Sequence, residues 1–260
     1  MDFSMTDDEA LVSWLLCTNK AGPLLFRAID SCLNQSIMNF TLLIVVNGSD
    51  QLSVMRTIES EYSDPRIQLV STSINFLNFS LNLGLHHCNT EFVARMDADD
   101  VAGYYRLEKQ VQFLNENPRV SVVGSNYYII DAEGSVLDLV ELPTSNSKIK
   151  SSLYYSNPIC HPSIMFRRDV FLKNGGYLGG LHSEDYEMWV RLSLDPSIVF
   201  ANLEEPLTSY SVVGGEARGA RMAYINMAAT QFKSFLIGWD IRWIFGIFSS
   251  VFKLIIKKIK

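Results

Sequence analysis

Three carboxylates stand close together in Asp97-Ala98-Asp99-Asp100, directly after an apolar run of strand length at residues 91–96. Carboxylates this close repel one another unless a cation or hydrogen-bond donors share the site. In an open α/β sheet, ligands bind at the carboxyl ends of the strands. The spacing therefore favours a site where Asp97 and Asp99 hold Mg²⁺ or Mn²⁺ on a diphosphate. The alternative is a turn in which Asp100 caps the following helix.

A second acidic pair, Glu184-Asp185, stands immediately before the helical pattern of Met188, Trp189 and Leu192. A carboxylate placed near a substrate hydroxyl can act as a general base. The same acids would also be favourable in the first turn of a helix that has Ser183 as its N-cap. The residues alone do not separate catalysis from capping.

The elements that would position these acids alternate along the first hundred residues. Apolar runs of strand length occupy residues 11–17, 41–46, 66–71 and 91–96. Helical spacing occupies residues 25–33, 54–62 and 81–88. Strands that alternate with helices predict an α/β fold built on a parallel sheet, with polar loops after each strand.

The polar loops after the first two strands lack the glycine patterns of common phosphate-binding motifs. Neither contains G-x-x-x-x-G-K-S/T or G-x-G-x-x-G, so a P-loop and a classical dinucleotide site are not predicted. Short polar side chains such as Thr18 and Asn47 would then contact a nucleotide, or serve only as turn residues.

Composition limits the class of protein. The chain has 260 residues, 48% of them hydrophobic, which suffices for one domain with an appendage. A net charge of −6 argues against general nucleic-acid binding. Four scattered cysteines indicate buried packing groups in a reducing compartment. The acidic stretch at residues 1–9 does not resemble a signal peptide, so we expect a cytoplasmic protein.

Several short motifs follow one another along the chain. In the first half they are Val45-Val46-Asn47-Gly48-Ser49, Asn75, Ser80-Leu81-Asn82-Leu83-Gly84, Ala94-Arg95-Met96-Asp97-Ala98-Asp99-Asp100 and Arg106-Leu107-x-x-Gln110. The second half has a segment at residues 157–168, then Gly175-Gly176-Tyr177, and then an E-D-x-x-x-W-x-R-L pattern at residues 184–192. In their order and spacing these motifs resemble the inverting family-two glycosyltransferases of the GT-A fold, in which residues 157–168 would form an acceptor-side segment and residues 184–192 a helix.

The resemblance implies a fold and an activity. The fold would be a Rossmann-like mixed sheet flanked by helices, with a catalytic domain at residues 1–210 divided into a nucleotide-binding half (1–100) and an acceptor half (101–210). The activity would be metal-dependent inverting transfer from a UDP-sugar, with Mn²⁺ or Mg²⁺ as cofactor. The chain looks most similar to bacterial O-antigen β-1,3-glucosyltransferases, which use UDP-glucose and a polyprenyl-diphosphate-linked N-acetylhexosamine.

The resemblance also implies roles for particular residues. Asp185 would be the catalytic base, with Glu184 as second choice, and Asp97 and Asp99 would hold the metal. His161 and Trp189 would lie on the acceptor side. The alternative for His161 is a packed loop residue, and the pattern favours Trp189 as a core residue that backs the acceptor pocket over one that contacts the sugar. The donor-binding residues would be Thr18, Asn19, Asn47, Asn75, Arg95 and Asp97.

Two segments depart from the family pattern. The loop at Asn47 reads V-V-N-G-S where relatives carry aspartates before the glycine, so recognition of uracil would fall to the Asn47 amide. Residues 209–215 lack the arginine and histidine of a Y-R-x-H motif, and the sequence does not say what replaces them. Arg218 and Arg221 are the nearest cationic candidates.

The tail has a different pattern from the rest of the chain. We expect a linker or helix at residues 211–236 and an amphipathic helix at 237–260 that lies in the membrane plane, on the cytoplasmic face of the inner membrane. The longest uncharged run, residues 243–252, is about half of the roughly 20 residues that span a bilayer. The alternative is a helix packed on the domain or in an oligomer interface. The polar stripe of the predicted helix consists of Arg242, Ser249, Lys253, Lys257 and Lys260.

Two functions of other classes are weighed against the transferase. A sugar-1-phosphate nucleotidyltransferase is also an α/β enzyme with metal-binding acids, but this chain has no Gly-rich phosphate loop near its start. A membrane-associated binding subunit without activity is opposed by the intact acids Asp97, Asp99 and Asp185. A glycosidase also uses paired acids, but it is favoured less than either of these because hydrolysis needs no D-x-D metal site.

Overall fold

A mixed sheet forms the centre of the molecule. The computed structural model describes residues 10–179, 182–212 and 221–259. The expectations for residues 1–9, Arg218 and Lys260 therefore lie outside the described residues. The strands are β1 (Val12–Thr18), β2 (Phe40–Asn47), β3 (Ile67–Thr72), β4 (Phe92–Asp97), β5 (Val101–Ala102), β6 (Val120–Ile130), β7 (Val136–Val140), β8 (Met165–Arg167) and β9 (Val199–Ser211).

The strand order is β3-β2-β1-β4-β8-β6-β9-β5. Strand β7 lies outside this order and pairs with β6. Strands β3, β2, β1 and β4 are parallel, whereas β8 runs antiparallel to both β4 and β6. In the register of the parallel half, Thr18 pairs with Val46 and Cys17 pairs with Asp97. The carboxyl ends of β1, β2 and β4 therefore meet at one edge, which is where the sequence places its polar and acidic residues.

Helices cover both faces of the sheet and enclose two apolar clusters. Successive residues of β1 point to opposite faces, so Leu15 belongs to one cluster and Trp14 and Leu16 belong to the other. This continuous burial explains why the parallel strands are apolar runs and not alternating patterns. The helices are α1 (Pro23–Leu33), α2 (Gln51–Glu61), α3 (Leu77–His87), α4 (Arg106–Glu116), α5 (Asn146–Ser152), α6 (Arg168–Lys173), α7 (Glu184–Ser193), α8 (Arg221–Gly238) and α9 (Arg242–Ile259).

The predicted elements of the first hundred residues are all present, with ends that differ by a few residues. The largest difference is at α3, which begins at Leu77 because the apolar residues before Leu81 continue the helix. Among the described residues the four cysteines form no disulfide, and burial raises the pKa of Cys17, Cys32 and Cys88 to about 12. These thiols stay protonated and act as packing groups.

The tail differs from the prediction in its boundaries. The segment expected as a linker or helix contains α8, which continues to Gly238, and the helix expected at residues 237–260 is interrupted where Trp239 adopts a φ of 50°. Trp239 and the residues beside it turn the chain so that α9 begins at Arg242 and packs against α8.

Gln231 of α8 contacts both the acceptor half and α9. Gln231 donates from Nε2 to the carbonyl of Tyr154 and to the hydroxyl of Tyr186, both at 3.0 Å, and accepts from the hydroxyl of Ser250. A Cβ at Gly246 would collide with the Tyr154 carbonyl, so only glycine allows α9 to approach this closely. One face of α9 is therefore packed on the domain, as in the alternative to a helix that lies in the membrane.

The opposite face of α9 is apolar and exposed. Phe248 is 68% exposed and Phe252 is 63% exposed, while Trp243 on the inner side is buried. No described helix is long and apolar enough to cross a membrane. We use the name aromatic face for this exposed surface of α9 together with the turn that precedes the helix. It is defined by Trp239, Ile241, Phe245, Phe248 and Phe252.

Candidate active site

The carboxyl edge of the parallel strands opens into a cavity of about 510 Å³, which we call the donor cavity. Its walls come from the loops after β1, β2 and β4 and from the segment before α3. Five of the six residues that the sequence assigned to donor binding line it, and Asp99 joins them. The lining residues of functional interest are Thr18, Asn19, Asn47, Asn75, Asp97 and Asp99.

Local hydrogen bonds fix two of these side chains. The amide nitrogen of Asn47 donates to the hydroxyl of Ser80 at 2.8 Å, so its carbonyl oxygen is the atom oriented by this contact for a ligand donor. The hydroxyl of Thr18 donates to the carbonyl of Lys20 at 2.7 Å and so also serves the turn. Gly48, at φ 98°, provides the left-handed turn that ends β2 beside Asn75.

Asp97, Asp99 and Asp100 converge after β4. Each contributes one carboxylate oxygen to a group in which all oxygens lie within 4.8 Å of one another. Burial, and then the charge of Asp97, raise the pKa of Asp99 and of Asp100. A bound divalent cation would relieve the repulsion between these carboxylates.

Asp100 does not cap a helix, contrary to the alternative considered from sequence. It is buried, and its Oδ1 accepts a 2.8 Å hydrogen bond from the backbone N–H of Ser211 at the end of β9. Its Oδ2 is also buried and has no hydrogen-bond partner among the described residues. An orphaned buried carboxylate oxygen beside two further carboxylates fits a hard cation such as Mg²⁺ or Mn²⁺, whose preferred ligands are oxygens.

Arg95 lies under the acid cluster at the floor of the site. Its guanidinium is buried and forms an ion pair with Asp97, while Nε and Nη1 have no partner among the described residues. Arg106 holds this strand from below, because its Nη2 donates 2.7 Å to the Arg95 carbonyl and 3.2 Å to the Ile164 carbonyl. Arg106 is itself buried, which lowers its pKa to about 10. The R-L-x-x-Q motif thus positions the site and does not line it.

A second cavity of about 490 Å³, which we call the acceptor cavity, adjoins the first. Asp97 and Leu77 line both cavities, so the two cavities lie side by side at these residues, and we refer to them together as the cleft. Arg95 belongs to this second cavity, which corrects its expected place among the donor-cavity residues. Asp185 and His161 lie on its walls, and Glu184 lines neither cavity.

Asp185 is held at the first turn of α7 by two hydrogen bonds. Asn157 donates from its amide nitrogen to Oδ2 at 2.6 Å, and the N–H of Tyr186 donates to Oδ1 at 2.8 Å. Burial raises the pKa of Asp185, although both hydrogen bonds act in the opposite direction. A carboxyl group with a raised pKa that faces a cleft has the properties of a general base.

Ser183 occupies the expected N-cap position of α7, but its hydroxyl is buried and makes no capping hydrogen bond. The start of the helix is stabilised by backbone bonding, since the N–H of Glu187 donates to the Ser183 carbonyl. Ser183 therefore lies at the predicted N-cap position, but its side chain does not cap the helix.

His161 lies in a short 3₁₀ turn, His161–Ser163, and its Nε2 is 2.8 Å from the hydroxyl of Tyr177. Burial, and then the charge of Arg95, hold the pKa of this imidazole well below its usual range. The ring is therefore neutral at physiological pH and suits hydrogen bonding to a sugar better than pairing with a phosphate. Arg191 supports the segment that carries Tyr177, because it pairs with Glu187 and donates to the Gly176 carbonyl.

Trp189 does not contact the cleft, which corrects its expected place among acceptor-binding residues. It is fully buried in the core, with its ring centroid 6.2 Å from that of His161. Trp189 follows Asp185 by one helical turn on the same side of α7, and its buried indole packs against the His161 ring in an edge-on arrangement.

The sequence does not identify the roles of two cleft residues and of one buried acid beside them. Its patterns place Asn157 in a motif, Lys253 in a polar stripe facing lipid headgroups, and the buried Asp100 at a helix cap. In the structure Asn157 and Lys253 line the acceptor cavity. Helix α8 also contributes Tyr224 and Met227 to this wall.

The fold is that of the GT-A glycosyltransferases. The crystal structure of S. aureus TarS residues 1–349 in complex with UDP-GlcNAc matches with a TM-score of 0.64 at 16% sequence identity, covering 85% of this chain and 66% of that chain. The mannosyltransferase PcManGT from Pyrobaculum calidifontis, in complex with GDP-Man and Mn²⁺, matches with a TM-score of 0.60 at 15% identity, covering 97% of this chain and 73% of that chain.

The sequence comparisons define the family. The model described as "Glycosyl transferase family 2" matches residues 13–175, and the chain therefore belongs to glycosyl transferase family 2. The O-antigen biosynthesis glycosyltransferase WbnJ of Escherichia coli is 32% identical over 228 residues, which are 87% of this chain and 89% of that protein. The expectations of a GT-A fold and of a glycosyltransferase are confirmed.

Proposed function

We propose that the protein is a metal-dependent inverting transferase that moves glucose from UDP-glucose, in β-1,3 linkage, onto a polyprenyl-diphosphate-linked N-acetylhexosamine in O-antigen and lipopolysaccharide assembly. The observation that carries this proposal is that the two cavities adjoin at Asp97, which lines both of them. A donor bound beside Asp97 would present its sugar to an acceptor held beside Asp185. The similarity to WbnJ supports the pathway, and the UDP-GlcNAc complex of TarS supports a UDP-sugar donor.

The chemistry follows from the positions of the two carboxylate groups. Asp185 would take the proton of the acceptor hydroxyl while that oxygen forms a bond to the anomeric carbon of the donor. The bond from the same carbon to the phosphate oxygen breaks on the opposite face, and UDP leaves with the electron pair. Attack from the opposite face converts an α-linked donor into a β-linked product.

The residues for a metal cofactor fit this scheme. Asp97 and Asp99 would hold Mn²⁺ or Mg²⁺, and Asp100 offers a third carboxylate oxygen. The bound ion would offset the charge that develops on the leaving diphosphate. The Mn²⁺ complex of PcManGT supports a divalent ion in proteins of this fold.

The donor cavity also suggests how uracil would be recognised. The Asn47 amide nitrogen is engaged by Ser80, so its oxygen would accept the N–H of a uracil ring. Asn19 and Asn75 line the same cavity and would contact the remaining polar atoms of the nucleoside. These contacts would replace the aspartates that relatives carry before Gly48.

The aromatic face supports a peripheral location on the cytoplasmic side of the inner membrane. Contiguous exposed apolar surface marks an interaction site, and aromatic residues are favourable at the lipid interface. The lysines that the sequence places at the end of α9 would attract anionic lipid headgroups. This location would bring the acceptor cavity beside a lipid-linked substrate.

A transfer assay tests the proposal. Purified protein would be incubated with Mn²⁺, a panel of labelled nucleotide sugars and a synthetic lipid-diphosphate N-acetylhexosamine, and the product linkage would be read by proton NMR. We expect a β-1,3-linked disaccharide from UDP-glucose. A β-linked product from another donor would revise only the sugar, whereas an α-linked product or no transfer from any donor would overturn the mechanism.

The family assignment favours this function over the two alternatives raised by the sequence. A nucleotidyltransferase would exchange pyrophosphate in the same assay, and a binding subunit would show neither transfer nor exchange. Asp99 lines the donor cavity, Asp185 lines the acceptor cavity and Asp97 lines both, which supports an arrangement for transfer between the two.

A further inference from the structure

Helix α9 contributes one charged side chain to the acceptor cavity. Lys253 lines this cavity together with Asp185, Asn157 and Arg95. The residue before it, Phe252, belongs to the aromatic face and is exposed. The peptide chain at this point therefore runs along the boundary between the cleft and the apolar surface.

The ammonium group of Lys253 has unused hydrogen-bonding capacity. Its Nζ donates one hydrogen bond, at 3.0 Å, to the backbone carbonyl of Tyr155. It forms no ion pair with any acid in the part of the chain that the structure describes. An ammonium has three N–H donors, so two remain for a ligand in the cleft.

A second cation in the same cavity also has free donors. Arg95 is buried at the floor, and its Nε and Nη1 have no partner among the described residues. Its charge is compensated by Asp97, however, whereas no carboxylate of the described residues compensates that of Lys253. His161 adds no positive charge here because burial depresses its pKa. Lys253 is thus the cation of this cavity that is available to an anionic part of the acceptor.

We propose that Lys253 binds the diphosphate of the lipid-linked acceptor. This inference rests on the proposed function and assigns a residue to its least defined substrate. The acceptor has three parts in a fixed order: a sugar hydroxyl, a diphosphate and a lipid chain. The cleft has a matching order, with Asp185 for the hydroxyl, Lys253 for the phosphates and the aromatic face for the lipid.

Two alternative roles for Lys253 lead to different experimental results. Lys253 has only a structural role if its function is to hold α9 to the Tyr155 carbonyl. Its replacement would then change the KM for every acceptor equally. It is a donor ligand if it binds the diphosphate of the nucleotide sugar, and its replacement would then raise the KM for the donor. Only an acceptor contact makes the effect depend on phosphate in the acceptor.

The variant Lys253→Gln separates these cases, because glutamine retains an N–H donor for Tyr155 and removes the charge. Two soluble acceptors would be compared without vesicles: a short-chain alkyl diphosphate N-acetylhexosamine and an alkyl glycoside of the same sugar and chain. Lys233→Gln is the matched control, since Lys233 is exposed on α8 and lines neither cavity. Lys253→Arg would test for restoration by charge.

We expect Lys253→Gln to raise the KM for the diphosphate acceptor about tenfold more than the KM for the glycoside, as loss of a charged hydrogen bond implies. Lys253→Arg should recover most of this difference, and the KM for the donor should not change. Equal effects on both acceptors, or a raised donor KM, would overturn the assignment of Lys253. If wild-type protein transfers sugar to neither acceptor, the proposed function itself fails and the inference with it.

Discussion

The amide nitrogen of Asn157 lies 2.6 Å from Oδ2 of Asp185, although the two residues belong to different elements of the acceptor half. This hydrogen bond orients the carboxylate toward the cleft and favours its ionised form, while burial favours the neutral form. The pair therefore sets both the direction and the basicity of the group proposed to activate the acceptor.

Loss of this contact should shift the pH dependence of transfer. In Asn157→Ala the Asp185 carboxylate loses a hydrogen-bond donor, so its pKa rises further and the acid limb of kcat/KM moves to higher pH. The measurement is a kcat/KM profile across the acidic range. Asn115→Ala, an exposed change on α4, should leave the acid limb in place. An unshifted limb in Asn157→Ala would show that Asp185 does not govern it.

The raised pKa of Asp185 also predicts an effect on stability. A carboxyl group whose pKa is higher in the folded than in the unfolded state contributes stability at low pH, and this contribution is lost as pH rises through the folded pKa. Asp185→Asn cannot ionise and should therefore unfold at a higher urea concentration than wild type at neutral pH. The difference should shrink on acidification. A less stable variant at neutral pH would contradict this sign.

Asp99→Asn should weaken the binding of UDP in the presence of Mn²⁺. The substitution preserves size and removes one charged oxygen from the acid cluster, which should reduce metal-dependent affinity about tenfold or more. Titration calorimetry of UDP with Mn²⁺ and with EDTA would measure it. Asp169→Asn, at an exposed acid on α6, is the control. Equal enhancement by Mn²⁺ in Asp99→Asn and wild type would exclude Asp99 as a ligand.

The aromatic face should determine binding to membranes. The double variant Phe248→Ser with Phe252→Ser removes two exposed rings and should lower partitioning onto anionic vesicles about tenfold or more, with little change in thermal unfolding. Cosedimentation with vesicles would measure the effect. Leu52→Ser with Leu194→Ser removes two exposed leucines elsewhere and should leave cosedimentation as in wild type. Equal losses in both double variants would remove the specific role of α9.

Much of the parallel half of the fold could be predicted from the sequence because its signals are local. The runs that became β1, β2 and β4 are apolar throughout, since helices cover both sides of these strands. Each run ends in polar residues that form the binding edge. The residues of each short segment are therefore enough to predict both the strand and the position of the donor cavity at its end.

The acceptor side was less predictable because its contacts join distant residues. Asp100 looks like its neighbour Asp99 in sequence, and only the N–H of Ser211, from the far end of β9, makes it a buried part of the cluster. Lys253 was grouped with the lysines that follow it, and only the packing of α9 against Tyr155 brings it into the cleft. Periodicity identified a polar side of the helix but not which surface it faces.

The same limit explains the tail. The pattern of residues 237–260 predicted an amphipathic helix with apolar residues on one side. Gly246 and Ser250 lie on the side that packs on the domain, because small residues allow the close approach to Tyr154 and Gln231. Trp243 is also buried on this side, whereas Phe245, Phe248 and Phe252 remain exposed. A hydrophobic pattern alone does not show which apolar residues pack on the domain.

The proposed mechanism requires Asp185 to activate the acceptor apart from the acids that bind the donor. Pre-steady-state kinetics of Asp185→Asn, together with calorimetry of UDP binding in Mn²⁺, separates these two roles. We predict unchanged affinity for UDP and a rate of transfer lower by a factor of about 10² to 10⁴. Transfer at the wild-type rate would exclude Asp185 as the base.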